Sequence, residues 1–262
     1  MTQPQNNVKP LKSPFARRED APAMNGKAPL ANVSLCLAAI GKATHRPRHL
    51  PGMVVFYGPS GFGKSTAAAV TSTQTGAYYI QAQSSWTRKA FALALLKVMG
   101  ILPAKTLYEM NEQAALQLVV SGKALIIDEA DHLVNKGIIE AVRDMYEAAL
   151  APVMLIGEEN LPGNLKRWER IHGRILDFVP AQPASFEDAQ ALRAMYATQV
   201  AIADDLLALA HEASKGSVRR ICVNLERIKD VALKEARDTM DAAAWGGRPL
   251  FTGEAPARRV AL

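Results

Sequence analysis

Cysteine is scarce in this sequence of 262 residues, which contains only Cys36 and Cys222. The two lie far apart and lack metal-binding spacing, so the pattern excludes a disulfide framework and a zinc ribbon. We expect both thiols to be buried as small apolar side chains. Histidine offers no ligand set either, because Pro47 separates His45 from His49 and opposes the helix that would align them.

Apolar runs of about 18 residues, long enough to span a membrane, are also absent, although 49% of the residues are hydrophobic. Residues 1–7 lack the apolar centre of a signal peptide. We therefore expect a globular protein with a substantial core, no membrane partner and a cytoplasmic location.

The positive charge is concentrated in one part of the chain. The formal net charge is +6, and residues 1–50 account for all of it. In that segment only Glu19 and Asp20 oppose the basic residues, which are Lys9, Lys12, Arg17, Arg18, Lys27, Lys42, Arg46 and Arg48. A cationic arm of this kind suits a polyanion such as DNA. An arm that only aids solubility explains the same charge.

The apolar pattern divides the chain into four parts. Residues 1–28 are rich in Pro, Asn, Lys and Ala, which predicts a disordered basic arm. Residues 29–182 alternate strands with helices and form the predicted nucleotide-binding domain. Residues 183–244 show helical periodicity without a strand signal, which predicts a small helical lid. Residues 245–262 are predicted to be an irregular tail.

Strands and helices alternate through the predicted nucleotide-binding domain. The expected strands are 53–57, 77–81, 124–128 and 153–156, and a further apolar stretch covers 175–179. The expected helices begin near Leu30 and after Gly63, and then cover about 87–99, 107–120 and 138–149. Because the strands are apolar along their whole length, they indicate a parallel sheet covered on both faces, and hence an α/β fold.

A glycine-rich motif lies between the first predicted strand and an alanine-rich helix. Gly58, Gly63, Lys64 and Ser65 match the phosphate-loop pattern in full. In such a loop the backbone N–H groups and the helix N-terminus surround phosphates, the lysine reaches the β- and γ-phosphates, and the serine can ligate Mg²⁺. The motif therefore predicts ATP and Mg²⁺ as cofactors. The predicted nucleotide-binding residues are Gly58, Pro59, Ser60, Gly61, Phe62, Gly63, Lys64, Ser65 and Thr66.

Two carboxylates, Asp128 and Glu129, end a later apolar strand. In a second phosphate-site strand, Asp128 is predicted to bind Mg²⁺ mainly through its water shell, and Glu129 to polarise the attacking water. With Lys64 they make the chain a candidate ATPase that converts ATP to ADP and phosphate. The alternative is that the two carboxylates only cap the next segment. The phosphate loop would then lack the second strand that usually accompanies it.

With Asp128-Glu129-Ala130-Asp131 following the phosphate loop, the chain resembles the AAA+ ATPases from about Pro29 to Met240. The resemblance implies an α/β parallel-sheet ATPase core with a small C-terminal helical lid. Gly216-Ser217-Val218-Arg219 looks like the sensor-2 motif of that family. The resemblance implies that Arg219 leans over the γ-phosphate from the lid.

The same family has an arginine finger that completes the site of a neighbouring subunit. Arg174 occupies its place here, and Arg170 is the rival. A finger supplied by a neighbour implies a homo-oligomer, either a ring or a helical filament. The alternative is that Arg167, Arg170 and Arg174 form a solvated basic face. For sensor 1, a polar residue that ends the fourth strand of the family, the segment 156–160 offers Asn160 or a glutamate.

A finer resemblance concerns residues 136–146 and 153–158. These segments look like the transposition ATPases of Mu-like phages and related transposons, the B-subunit target-DNA activators. The resemblance implies an ATP-dependent oligomer on double-stranded DNA, in a bacterial or phage-host cytoplasm, that captures target DNA and stimulates a DDE transposase. Unlike the Mu protein, this chain shows no convincing N-terminal helix-turn-helix domain.

DNA contacts are predicted to come from basic residues that follow the phosphate backbone with little sequence readout. The candidates are Trp86, Arg88 and Lys89, after the second strand, and Lys105 and Lys136 on loops. The alternative is that these lysines are ordinary exposed side chains and that Trp86 begins a core-facing helix.

Two other functions would use the same ATPase core. A helicase loader or replication initiator would act on a helicase or an origin, and the lack of an added DNA-reading domain weakens the initiator form. A secretion-type or signalling ATPase would act without DNA, and the cationic arm and the lack of a membrane segment disfavour it.

Overall fold

The computed structural model describes residues 30–255. The predicted arm at residues 1–28 and the last part of the predicted tail, residues 256–262, lie outside the described residues. None of the helices between residues 30 and 255 has the length and apolar character that crossing a bilayer requires.

The first part of the described chain alternates strands and helices, as the apolar pattern predicts. Its elements are α1 (Ala31–Thr44), β1 (Met53–Tyr57), α2 (Lys64–Thr75), β2 (Tyr78–Gln81), α3 (Arg88–Met99), α4 (Leu107–Ser121), β3 (Leu125–Asp128), α5 (Asp131–Asn135), α6 (Ile139–Ala149), β4 (Val153–Gly157), α7 (Leu161–Leu165), α8 (Glu169–His172) and β5 (Ile175–Pro180). The short helices α5, α7 and α8 were not predicted, because four or five residues are too few to show a helical period.

The five strands form one parallel sheet in the order β2-β3-β4-β1-β5. Side chains alternate between its faces, so in β1 Val54 and Phe56 enter one buried cluster while Met53 and Val55 enter another. Both faces are therefore covered, which explains why the strands read as continuous apolar runs. The α/β parallel-sheet fold expected from the sequence is confirmed.

The C-terminal portion is mainly helical. It contains α9 (Phe186–Tyr196), β6 (Ala201–Ile202), α10 (Asp204–Ser214), α11 (Val218–Lys234), β7 (Thr239–Met240) and α12 (Ala242–Trp245). The prediction of no strand in this portion is wrong, because β6 and β7 pair in parallel. Each has only two residues, too few for an alternating pattern, and long-range pairing alone defines them.

Buried polar groups join α1 to the C-terminal portion. The Asn32 amide donates to the carbonyl oxygens of Phe62 and Gln182, each at 2.8 Å, and its own oxygen accepts from the Gln182 N–H at 2.8 Å. The Asp188 carboxylate accepts from the Ala31 N–H at 3.0 Å. One buried cluster also continues from the sheet to α9, α10 and α11. These contacts place the C-terminal helices beside the phosphate loop.

Candidate nucleotide-binding site

A cavity of about 720 Å³ opens at the carboxyl edge of the sheet, between the phosphate loop and the C-terminal helices. Its size suits a small-molecule ligand. Its polar end is lined by Ser60, Gly61, Gly63, Lys64, Ser65, Thr66, Asp128, Glu129, Gly157, Glu158 and Arg219. Its apolar end is lined mainly by Leu30, Val33, Ala69, Val70, Leu192, Met195, Tyr196, Val218 and Cys222.

The phosphate loop turns sharply from β1 into α2. Gly61 and Gly63 have φ values of +87° and +81°, a region that side chains disfavour, so glycine is required at these turns. Gly63 is the N-cap of α2, whose first residue is Lys64. The Lys64 ammonium donates to the carbonyl oxygens of Gly58 at 2.7 Å and Pro59 at 2.9 Å.

Most of the predicted loop residues line the cavity, but three do not. Gly58 is buried, the exposed Pro59 offers its carbonyl to Lys64, and Phe62 packs against the apolar cluster of the C-terminal helices. The remaining six, Ser60 to Thr66 without Phe62, face the cavity. The free N–H groups at the start of α2 make this end favourable for an anion.

Asp128 and Glu129 reach the cavity from the end of β3. Asp128 is only 2% exposed, and its carboxylate accepts from the Tyr79 hydroxyl at 3.0 Å and from the Glu129 N–H at 2.9 Å. Burial and Asp128 both raise the pKa of Tyr79, so the hydroxyl keeps its proton and remains a donor. Tyr79 therefore orients the carboxylate of Asp128, the residue predicted to bind Mg²⁺.

The charges in the cavity act on one another. Burial lowers the pKa of Lys64, and the carboxylates of Glu129 and Asp128 oppose this effect. Burial is the main cause of the raised pKa of Glu129, and repulsion from the Asp128 carboxylate raises it further. A carboxylate with a raised pKa is a stronger base than an ordinary glutamate, as proton abstraction from water requires.

The N-terminal end of α11 lies directly on the phosphate loop. The Arg219 N–H donates to the Gly61 carbonyl at 3.1 Å, and its guanidinium lies 3.4 Å from the Ser60 hydroxyl. The Ser217 hydroxyl caps α11 by accepting from the Arg220 N–H at 3.3 Å. A methyl group at Gly61 would lie 2.6 Å from the Ser217 hydroxyl. The structure thus brings Arg219 to the cavity that Lys64, Asp128 and Glu129 share.

Arg174 and Arg170 lie away from this cavity. Arg174 forms an ion pair with Glu147 on α6, and its guanidinium also donates to the Arg170 carbonyl at 3.0 Å. Arg170 is exposed and pairs with no acidic side chain among residues 30–255. Neither arginine lines the cavity of its own chain.

The loop after β4, where a sensor-1 residue was expected, brings a glutamate to the cavity. Glu158 lines the polar end, whereas Asn160 is the exposed N-cap of α7 and does not. Cys36 is buried as expected. The expectation for Cys222 is wrong, since its thiol is only half-buried and lines the apolar end, where α11 borders the cavity.

No group of three or more His, Cys, Asp and Glu side chains within residues 30–255 could hold a metal ion. Mg²⁺, however, usually binds through one or two protein oxygens together with phosphate and water oxygens. Ser65, whose side chain is exposed to the cavity, and Asp128 can supply such a pair. The donor set fits a magnesium ion that arrives with a nucleotide.

Residues 48–165, from just before β1 to the end of α7, match the family model described as an AAA domain. These residues are therefore similar to an AAA domain. The match includes the phosphate loop and the Asp128-Glu129 strand, and the parallel sheet agrees with the AAA+ ATPase core. A search of curated proteins with this sequence found no significant match.

Solved structures of AAA+ proteins share this fold. The ADP form of the Aeropyrum pernix ORC2 protein superposes with a TM-score of 0.63 at 13% identity, covering 80% of this chain and 64% of that one. The Aeropyrum pernix ORC1 protein in complex with DNA gives 0.58 at 18% identity, covering 82% and 62%. The Thermotoga maritima RuvB Holliday junction branch migration motor gives 0.57 at 20% identity, covering 81% and 66%. This chain thus spans less than two thirds of each of these proteins.

Several residues at this site were not predicted. Tyr79 supports Asp128 only because β2 pairs with β3, and the tyrosine shows no motif of its own. The apolar end of the cavity combines Ala69 and Val70 of α2 with residues at α1, α9 and α11, which are far apart in sequence. Helical periodicity signals that these elements have buried faces, but it does not say which faces meet.

Proposed function

We propose that this chain binds and hydrolyses ATP in the cavity and uses the nucleotide to control its assembly on double-stranded DNA. The observation that carries the proposal is the convergence of Lys64, Asp128, Glu129 and Arg219, from separate parts of the chain, on one cavity. The proposed assignment places the phosphates at the polar end and the base among the apolar side chains of α1, α9 and α11.

The proposed hydrolysis uses each charged group in a separate role. Lys64 and Arg219 neutralise negative charge on the terminal phosphates, and Glu129 accepts a proton from the attacking water. Ser65 and Asp128 would hold Mg²⁺, which supplies further charge neutralisation when bound. Glu129→Gln should keep ATP binding but lose hydrolysis, measured by phosphate release. Normal hydrolysis by Glu129→Gln would contradict the assignment of the base.

The loop after β2, the start of α3 and the C-terminal end of α5 form the proposed DNA-binding surface, which we define as Trp86, Arg88, Lys89 and Lys136. The Lys136 ammonium donates to the Trp86 carbonyl at 3.2 Å, so residues far apart in sequence become neighbours. Arg88, Lys89 and Lys136 are exposed, and Arg88 begins α3. Trp86 is half-buried against Phe91, with ring centroids 6.3 Å apart, which supports a role in holding the loop. Lys105 is exposed on the loop before α4.

A gel-shift experiment with non-specific duplex tests the DNA proposal most directly. We expect binding to require ATP or a non-hydrolysable analogue and to weaken steeply with salt, because Lys and Arg displace condensed counterions. The double variant Arg88→Ala/Lys89→Ala should bind less tightly. Its control is Lys97→Ala/Lys234→Ala, which removes the same charge from exposed positions elsewhere. ATP-independent binding by a stable monomer would contradict the proposal.

The proposed assembly places an arginine of one subunit in the site of its neighbour. Arg174 is the family-based candidate, but its pairing with Glu147 supports Arg170, whose side chain is exposed. Mixing two inactive variants distinguishes them. Lys64→Ala cannot use its own site but can supply an arginine, so it should restore hydrolysis to the variant that lacks the true finger. The control Arg167→Ala should hydrolyse ATP without rescue. Failure to rescue both Arg170→Ala and Arg174→Ala would argue against a finger supplied in trans.

The further proposal is that the assembled ATPase captures target DNA and stimulates a DDE transposase. It rests on the resemblance of residues 136–146 and 153–158 to the Mu-like transposition ATPases. A helicase loader or replication initiator is the second candidate, supported by the fold similarity to the ORC proteins. Pull-downs with a transposase and with a replicative helicase separate the two. Binding of the helicase alone would contradict the transposition proposal.

The division of the chain belongs to the same proposal. Residues 29–182 would act as the ATPase domain and 183–244 as a lid that follows the nucleotide through Arg219. Residues 245–262 would form a tail, although Ala242–Trp245 is helical. The arm at residues 1–28 would add cationic contacts to DNA, in the cytoplasm of the host cell. A chain that begins at residue 29 should keep ATPase activity and bind DNA less tightly.

A further inference from the structure

The backbone of Glu129 has an unusual conformation. Among the described residues, four that are not glycine have a positive φ: Glu129, Leu150, Lys215 and Ala236. Leu150, Lys215 and Ala236 lie at or just after the C-terminal ends of α6, α10 and α11, where a left-handed residue commonly ends a helix. Glu129, with φ of +55°, instead precedes a helix. Such strain persists only where the surroundings impose it.

The segments on both sides of Glu129 are attached to neighbouring groups. On one side, the Glu129 N–H donates to the Asp128 carboxylate at 2.9 Å. On the other side, the fully buried Ala130 donates its N–H to the Ile156 carbonyl of β4 at 2.8 Å. These two bonds determine the direction in which the chain enters and leaves Glu129.

Asp131 makes a third attachment, between the start of α5 and the loop after β4. Its Oδ2 accepts from the Glu158 N–H at 2.8 Å. A methyl group on Gly157 would lie 2.1 Å from the same oxygen, so the carboxylate approaches the backbone of β4 as closely as a glycine permits. Asp131 therefore joins the Glu129 segment to the loop that brings Glu158 to the cavity.

We propose that Asp131 is a positioning residue for ATP hydrolysis, which holds Glu129 in its left-handed conformation and fixes the Glu158 loop beside it. The proposal rests on the ATPase function proposed above. Asp131 itself does not line the cavity, so it acts through Glu129 and Glu158. Loss of the attachment lets residues 129–131 relax toward ordinary backbone conformations, which moves the Glu129 carboxylate away from the attacking water.

The test compares Asp131→Ala with Asp131→Asn in the full-length protein. The alanine variant should lower kcat for ATP by about 10- to 100-fold, because small displacements of a catalytic base are costly. Its KM and the Kd for a non-hydrolysable analogue should stay within about twofold. Asp131→Asn keeps an oxygen that can accept the Glu158 N–H, so it should restore most of kcat.

A second variant and a remote control guard against a general loss of stability. Gly157→Ala leaves Asp131 in place, but its methyl group would meet the Asp131 carboxylate and the Leu161 side chain, so it should also lower kcat. The remote control is Glu109→Ala, at the start of α4. It removes a carboxylate that accepts from the Thr106 N–H at 3.0 Å and does not line the cavity. This control should lower the Tm without lowering kcat.

Each outcome separates this inference from the ATPase proposal. If Glu129→Gln is inactive while Asp131→Ala hydrolyses ATP at the wild-type kcat, only the positioning role is overturned. It is also overturned if Asp131→Asn is as slow as Asp131→Ala, or if nucleotide affinity falls in parallel with kcat. If the wild-type protein itself hydrolyses no ATP, the proposed function fails first.

Discussion

The two ends of the cavity are built in different ways. At the polar end, six of the eleven lining residues come from the continuous segment Ser60–Thr66, and the others are Asp128, Glu129, Gly157, Glu158 and Arg219. The apolar end combines Ala69 and Val70 of α2 with side chains at α1, α9 and α11, and these helices meet only in the folded chain. The difference shows that local backbone geometry positions more than half of the polar lining residues, whereas most of the apolar lining depends on how α1 and the C-terminal helices pack.

Removal of the Lys64 ammonium should have the largest effect, and it tests the polar end. Lys64→Ala should weaken ATP binding by about 100-fold, because a charge-assisted contact to phosphate is lost. A fluorescent nucleotide analogue measures the change. Lys42→Ala is the control. The Lys42 ammonium forms an ion pair with the Asp177 carboxylate at 2.7 Å, and Lys42 does not line the cavity. Equal binding by Lys64→Ala and the wild type would show that the polar end does not hold the phosphates.

Substitution of Gly61 tests how the two ends are joined. Gly61→Ala should weaken ATP binding by about tenfold, since the new methyl group meets the Ser217 hydroxyl and the backbone is strained. Gly76→Ala is the matched control: its φ of +69° imposes similar strain, but nothing lies within 4 Å of the added methyl group. The control should lower the Tm and leave affinity unchanged. Equal affinities for the two variants would show that docking of α11 does not support nucleotide binding.

The labelling rate of Cys222 tests the apolar end in the wild-type protein, without a substitution. Burial raises the pKa of both Cys222 and Cys36 to about 11, so both thiols should react slowly with iodoacetamide near neutral pH. Bound ATP analogue should slow the labelling of Cys222 several-fold further, whereas buried Cys36 should label only when the chain unfolds. Mass spectrometry of the labelled peptides measures both rates. An equal labelling rate of Cys222 with and without the analogue would show that the ligand binds elsewhere.

The smallest expected effect concerns stability at the polar end. Because the pKa of Glu129 is raised in the folded chain, its ionised form destabilises the fold above that pKa, and the penalty vanishes once the carboxylate is protonated. Glu129→Gln should therefore raise the Tm by about 1 °C at pH 8, a modest gain because solvent screens this partly exposed group. The gain should disappear near pH 4. A Tm gain that persists at low pH would point to packing instead of charge.

The sequence by itself determined the polar end and the order of the main elements. The phosphate loop is a local motif, since the spacing of Gly58, Gly63, Lys64 and Ser65 specifies the turn and the helix that follows. Asp128 and Glu129 were found because an apolar strand precedes them. The continuous apolar runs of β1, β3 and β4 likewise indicated a parallel sheet covered on both faces.

Only the tertiary structure decided which distant groups meet. The bond from Tyr79 to Asp128 depends on the register of β2 against β3, and the Asp131 attachment depends on β4 lying beside β3. The contact of Arg219 with Gly61, the β6–β7 pair and the half-burial of Cys222 arise from docking of the C-terminal helices. A sequence pattern reports the periodicity of one segment, whereas these contacts follow from strand order and helix packing, which join segments that no local pattern links.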